Sequence, residues 1–183
     1  MLRVAYPGVP GAWSEDAIDA LLGSDGVEPI GFATFADSLG AVMHGHAGAA
    51  VIPVFNTIVG AIGAGLDAIA AYPALRAGGS AEIAIGHCLL ALPGASLRTV
   101  RRVESHAIAL AQCRAFLSRQ ERLAVHASFD TAGAARDVSD AGDFARAAIA
   151  SPRAAARYGL SVIADRIADH DDNRTRFVAV TRR

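Results

Sequence analysis

Ala49-Ala50-Val51-Ile52-Pro53-Val54-Phe55-Asn56-Thr57-Ile58-Val59-Gly60 is an apolar run that delivers an amide and a hydroxyl just before a glycine. Its first half reads as a buried strand, Ala49–Pro53, and its second half as the glycine-rich entry into a helix through Leu66 and Ile69. A strand that hands over directly to a helix is the repeating unit of an α/β protein. Backbone N–H groups at such a junction, with Asn56 and Thr57 beside them, suit a carboxylate, although a simple helix cap explains the same residues.

The pattern extends in both directions. Leu2–Tyr6 reads as a strand ending in the turn Pro7-Gly8-Val9-Pro10-Gly11, and Ser14 as the cap of a helix Glu15–Leu22 with Glu15 and Asp16 in its first turn. Pro29–Phe32 follows as a strand, and Phe35–His44 as a helix with Phe35, Leu39 and Val42 on one face. Pro73–Ser80 reads as a crossover between two lobes. Beyond it, Glu82–Leu92 and Thr99–Val103 read as strands, Ala107–Leu117 as a helix, Leu123–His126 as a strand and Thr131–Val138 as a short helix. Ala145–Ile149 reads as a strand, Pro152–Tyr158 as a helix begun by Ser151 and Pro152, and Leu160–Ala164 and Arg176–Thr181 as the closing strands. The expected division is one lobe of about 1–75 plus 159–183 and another of about 81–158. Pro7–Gly11, Pro53–Thr57 and Glu104–Ser105 all fall beyond strand ends, where open α/β sheets bind ligands, so one cleft is expected.

Composition narrows the function. The chain has 183 residues, 52% of them hydrophobic, with a net charge of −1, enough to bury a core and without the basic footprint of a nucleic-acid binder. Cys88 and Cys113 stand far apart and read as ordinary buried thiols, too few for a zinc site. Asn56, Asp67 and Pro53 interrupt the apolar stretch 51–71, which argues against a membrane span. Met1-Leu2-Arg3-Val4-Ala5-Tyr6 reads as a strand and not as a leader, so a cytoplasmic location is expected.

The residues able to do chemistry are few. Asp172-Asn173-Arg174-Thr175-Arg176-Phe177 puts a hydroxyl, an amide and two guanidinium groups beside a strand. Ser105-His106 precedes a helix that carries Gln112-Cys113, and Asp130-Thr131-Ala132-Gly133 opens another with small residues. Taken singly, each of these is also a capped helix or a strand end, and His106 alone is more often a packed imidazole than a base.

Together, in order and spacing, these segments resemble the prephenate dehydratase family, which includes the arogenate dehydratases, from about Val4 to Val180. Asn56 and Gly60 match the family's Pro-x-Glu-Asn-Ser and following Gly, Thr57 keeps the hydroxyl, and Phe55 stands where the Glu usually is. Ser105, His106, Ala109, Leu110, Gln112 and Cys113 match the Ser-His-Pro-Gln-Ala-Leu-x-Gln-Cys segment, with Ala107 and Ile108 in place of Pro-Gln. Asp130-Thr131-Ala132-Gly133 and His87-Cys88-Leu89-Leu90-Ala91-Leu92-Pro93-Gly94 are similar to the arogenate dehydratase branch.

The resemblance implies a two-lobed α/β fold of the periplasmic-binding-protein type II kind, with the active site in the interlobe cleft. It implies decarboxylating dehydration of prephenate or arogenate to an aromatic product, with no cofactor, while the regulatory ACT domain that follows the catalytic domain in many members is not expected here. Thr175, Ser105 and Gln112 would be the catalytic residues, and Asn56, Thr57, Thr131, Arg176 and Phe55 would bind substrate. Arg176 could equally serve a structural ion pair. A phenyl ring at position 55 cannot act as an acid and is expected to dry the cleft, which keeps two alternatives open: a relative redirected to a specialised metabolite, as a non-aromatising decarboxylase or other eliminase, and a non-catalytic binder of small carboxylates. The expected partner is a small molecule, with neither nucleic acid nor membrane, and a homodimer is left open.

Overall fold

The computed structural model describes Met1–Arg183, and the α/β class expected from the sequence is the one observed. The chain divides into two units, the first formed by Met1–Ile85 with Asp172–Arg183 and the second by Gly86–Asp171.

In the first unit, β1 (Leu2–Pro7), β2 (Val27–Phe32), β3 (Ala49–Asn56), β5 (Leu75–Ala84) and β11 (Arg174–Arg182) form a sheet in the order β2-β1-β3-β11-β5, with the two-residue β4 (Gly60–Ala61) folded back on β3. β1 runs parallel to β2 and β3, whereas β11 runs antiparallel to β3 and β5. The carboxyl ends of β1, β3 and β5 therefore share one edge with the start of β11. Helices α1 (Trp13–Leu22), α2 (Phe35–Met43) and α3 (Gly63–Ala70) pack on the sheet. Ala5, Ala50, Ile52 and Val180 from the strands meet Leu39 and Val42 from α2 in a closed apolar core. Full burial of such Leu or Ile side chains is worth about 1.5–3 kcal/mol each.

In the second unit, β6 (Cys88–Ala91), β7 (Arg102–His106), β8 (Ala124–Ser128), β9 (Arg146–Ala150) and β10 (Ser161–Ala164) form a sheet in the order β10-β6-β9-β7-β8. β7 is parallel to β8 and β9, and β6 is antiparallel to β9 and β10. Helices α4 (Ala107–Gln112), α5 (Arg114–Ser118), α6 (Thr131–Ala141) and α7 (Pro152–Tyr158) complete it. Leu89, Val103, Cys113, Ile149 and Ile167 fill its core.

Several expectations need correction. No helix begins at Asn56–Thr57: β3 runs on through Asn56, whose side-chain oxygen accepts the backbone N–H groups of Ile58 and Val59 and folds the chain into a turn. Gly60, at φ +82°, completes that turn in a conformation open to glycine. Ser14 is not a cap; α1 starts at Trp13 after Ala12, which has no side-chain oxygen to offer, and Glu15 instead reaches back to the N–H of Gly11. The 73–80 stretch is not a crossover but most of β5, paired with β11 over residues 75–84, so the passage into the second unit falls at Ile85–Gly86 and the return at Asp171–Asp172. Glu82–Leu92 accordingly splits between β5 and β6, which lie in different sheets. The helix expected over Ala107–Leu117 breaks at Cys113, and the strand expected at Thr99–Val103 lies at Arg102–His106. Ser151 does cap α7, accepting from the N–H of Ala154, with Pro152 in the first turn.

Candidate functional site

The carboxyl edge of the first sheet gathers Asn56, Thr57, Asn173 and Thr175. The antiparallel register sets Thr175 directly opposite Asn56 although the two are 119 residues apart in the chain. Asn56 is 5% exposed, and its side-chain oxygen is engaged by two backbone N–H groups. Its NH2 must therefore face the other way, where it meets Asn173 Oδ1 at 2.8 Å, Arg174 O at 3.1 Å and Thr175 Oγ1 at 2.9 Å. Thr175 is an acceptor in this bond, which leaves its hydroxyl hydrogen directed elsewhere.

Thr57 closes the same edge. Its hydroxyl donates to Asp172 O at 2.9 Å and accepts the N–H of Arg174 at 2.9 Å, so it pins the start of β11. Phe55 and Arg176 oppose one another in the register, one residue out of phase with Asn56 and Thr175, and so lie on the other face of the sheet. The Arg176 guanidinium sits 5.8 Å from the Phe55 ring centroid and pairs with Glu82 at 2.8 Å. Phe55 is 39% exposed, so its surroundings are wet, contrary to the dry position expected for it. At the end of β1, Glu15 holds the adjoining loop through the Tyr6 hydroxyl at 2.8 Å and the Gly11 N–H at 3.1 Å. The indole N–H of Trp13, first residue of α1, is buried without a partner.

The second unit holds a separate polar set. Ser105 is the penultimate residue of β7 and is fully buried; its hydroxyl donates to Ile149 O at 2.6 Å, which ties β7 to β9 and leaves only its acceptor face for other use. His106 caps α4 through Nδ1, 3.3 Å from the N–H of Ile108. Gln112, the last residue of α4, is 9% exposed, and its side-chain oxygen lies 2.8 Å from His87 Nε2. Burial holds the His87 imidazole below its ordinary pKa despite that bond, so it is neutral near pH 7. Thr131 is the first residue of α6, behind Asp130, which caps the helix through the N–H of Ala132. The tight approach at Gly133 is made by the Phe129 ring.

Beside this set, Glu104 lies between Arg146 at 2.7 Å and Arg102 at 2.9 Å. Burial works against its charge, but the two guanidinium groups outweigh it and hold the carboxyl below the usual range. Burial, with nearby Asp169 and Cys88, pushes the Cys113 thiol up to about 12, and burial also raises Cys88, so both are inert thiols. No three His, Cys, Asp or Glu side chains converge as a metal site, and no helix is long and apolar enough to cross a membrane.

Asn173, Glu82 and His87 are among the residues of these clusters that sequence reasoning did not assign to a site. Asn173 and Glu82 take their places through pairing with β3 and β11, and His87 through a partner 25 residues away.

The model of the prephenate dehydratase family matches residues 4–183, and the chain belongs to that family. It is 40% identical to arogenate dehydratase 5, chloroplastic, of Arabidopsis thaliana over 99% of this chain and 42% of that protein. The chain thus spans about two-fifths of the length of the curated relatives it matches. Its fold superposes on the prephenate dehydratase of Arthrobacter aurescens, solved in complex with L-Phe, with a TM-score of 0.91 and 32% identity over 100% of this chain and 61% of that one. It also superposes on GqqA, described as a novel type of quorum quenching acylase, with a TM-score of 0.85 and 34% identity over 99% of this chain and 64% of that one.

Proposed function

We propose that this chain carries out the decarboxylating dehydration of prephenate or arogenate. The observation that carries the proposal is the direction of the Asn56–Thr175 hydrogen bond, which leaves the Thr175 hydroxyl as a donor at a sheet edge built to meet a ligand. In the reaction the bond from the ring to its carboxylate breaks, its electron pair enters the ring, and the hydroxyl on the opposite carbon leaves. Carbon dioxide, water and an aromatic ring result, with one proton taken up.

A threonine hydroxyl is too weak an acid to release its proton to water, but a hydrogen bond aimed at the leaving oxygen strengthens as negative charge develops there. Asn56 keeps that hydroxyl aimed, and Thr57 keeps the strand that bears it in place. Arg176 and Phe55 stand at the same strand ends but on the sheet face opposite Thr175, so we assign them to the rim, where the guanidinium can attract an anionic substrate, and not to contact with the reacting ring. Within the second unit, Gln112 carries an amide NH2, Ser105 an acceptor oxygen and Thr131 a hydroxyl at a helix start, a polar set suited to a small carboxylate ligand. The Gln112 oxygen is held beside His87, so what its amide can turn to a ligand is the NH2, a polarity that favours an anionic substrate.

The test is incubation of the purified protein with prephenate and, separately, arogenate, followed by ultraviolet absorbance and mass spectra of the products. Phenylpyruvate or phenylalanine is the expected product. A non-aromatic decarboxylated product, or no turnover of either compound, would overturn the proposal.

A further inference from the structure

His87 is the one buried imidazole in the molecule, 3% exposed, and its Nδ1 has no hydrogen-bond partner. Its Nε2 lies 2.8 Å from the Gln112 side-chain oxygen. A neutral imidazole carries one N–H, and its position can be argued. On Nδ1 the N–H would be a buried donor without an acceptor, and the Gln112 oxygen would face a bare nitrogen lone pair. On Nε2 it satisfies Gln112 and leaves only an unpaired lone pair at Nδ1, which is the lesser loss.

From this geometry we infer that His87 is a positioning residue: its Nε2–H holds the oxygen of Gln112 and thereby fixes the amide with its NH2 turned away from the imidazole. The inference rests on the proposed role of Gln112. Released from His87, the amide could rotate about its last torsion and offer an oxygen where a donor is needed, which would set a lone pair against an anionic substrate. His87 precedes β6 directly and Gln112 ends α4, so the bond also ties a strand to a helix that share no covalent neighbour. The lowered basicity of the ring agrees with this arrangement, because a second proton would have to sit on the unpartnered Nδ1.

Two measurements test the inference. Nitrogen-15 NMR of histidine-labelled protein should show His87 as the Nε2–H tautomer, and the Nδ1–H tautomer or a charged ring at neutral pH would overturn it. Kinetically, His87→Leu should lower kcat/KM for prephenate about tenfold to a hundredfold, the range commanded by hydrogen-bond partners that orient working ligands. His87→Gln, which can place an N–H near the Nε2 position, should recover most of the loss. In a Gln112→Ala background, His87→Leu should cause no further loss of turnover. Equal losses in both backgrounds, or His87→Gln as poor as His87→Leu, would overturn the positioning role. Full turnover by Gln112→Ala would remove the role on which the inference rests, and the tautomer would then distinguish an idle His87–Gln112 bond from an absent one.

Discussion

Asn56 Nδ2 donates to Thr175 Oγ1 over 2.9 Å across β3 and β11, and the bond can run in only one direction. Two backbone N–H groups occupy the Asn56 oxygen, so the asparagine cannot accept from threonine without abandoning its own turn. The hydroxyl inherits its orientation from a turn that lies in another strand.

Asn56→Asp should therefore be far more harmful than its size suggests. The aspartate keeps one oxygen for Ile58 and Val59 but turns a second oxygen on Asn173 Oδ1, Arg174 O and Thr175 Oγ1. The threonine can respond by donating to it, which withdraws the hydroxyl hydrogen from the substrate, and Asn173 only by flipping its own amide, while the Arg174 carbonyl cannot respond at all. Turnover of prephenate should fall by about 10²–10³-fold, the usual cost of losing a donor to a developing oxyanion. Stability should fall by about 1–3 kcal/mol from the unmatched acceptors. Steady-state kinetics and urea unfolding check both, and normal turnover would show that the direction of the bond is irrelevant.

Thr175→Ala and Thr175→Ser separate the hydroxyl from the fold. Alanine removes a hydrogen bond worth about 0.5–1.5 kcal/mol, while Asn56 keeps its contacts to Asn173 and Arg174. Its kcat should fall much further than that energy implies, because the lost interaction is strongest in the transition state. Serine should retain most of the rate. Full turnover by the alanine variant would remove Thr175 from the mechanism.

The strands of the first sheet were largely legible because Val4–Tyr6, Ala49–Ile52 and Phe177–Val180 are apolar and lie between polar turns. β5 was hidden by Gly78 and Gly79, which weaken a strand pattern and resemble a linker. The end of β3 was misread because the small residues from Gly60 to Gly65 suit a helix, while the turn that delays it is made by one side chain, Asn56. Thr175 and Asn56 could each be singled out from the chain, but the bond between them depends on strand register. The opposing face of Phe55 and the His87–Gln112 pair are likewise consequences of tertiary packing that residue order does not encode locally.

Phe55→Glu should alter affinity more than rate. The side chain is 39% exposed and lies on the sheet face opposite Thr175, so a carboxylate there stays solvated and cannot reach the threonine along the strand. It would share Arg176 with Glu82, a pair already half exposed, and stability should change by less than about 1 kcal/mol. The added negative charge should raise KM for prephenate several-fold, with kcat within about tenfold of the parent, short of the 10²–10⁴-fold typical of a working acid. A hundredfold gain in kcat would mean that position 55 reaches the reacting hydroxyl after all.

Gly65→Ala tests how α3 is held against the strand that carries Asn56. A Cβ at Gly65 would fall 2.3 Å from the Pro53 carbonyl oxygen, a backbone atom that cannot swing aside. The helix would have to lift off β3, and overpacking of this kind costs about 1–3 kcal/mol. Gly133→Ala is the control: there the Cβ meets the far edge of the Phe129 ring, 64% exposed and able to move. It should be neutral or stabilise by up to about 1 kcal/mol through better helix propensity. Similar melting temperatures for the two variants would refute the distinction.

Glu104→Gln should make the stability of the protein depend differently on pH. In the parent, burial opposes ionisation of Glu104, but Arg146 and Arg102 overcome it and depress the folded-state pKa. A depressed carboxyl binds fewer protons in the folded state than in the unfolded one. Its stabilisation is therefore complete above the ordinary value of 4.5 and is lost as pH falls through the lower, folded-state value. Glutamine removes that contribution and leaves Arg146, only 24% exposed, without its carboxylate. At pH 7 the variant should be less stable by about 2–4 kcal/mol, somewhat under the range for a broken buried pair because Arg102 is solvated. As the pH is lowered past 4.5 the parent should lose stability faster than the variant, and the two curves should converge. Urea unfolding of both proteins at several pH values decides it, and parallel curves would mean that the two arginines do not hold Glu104 ionised.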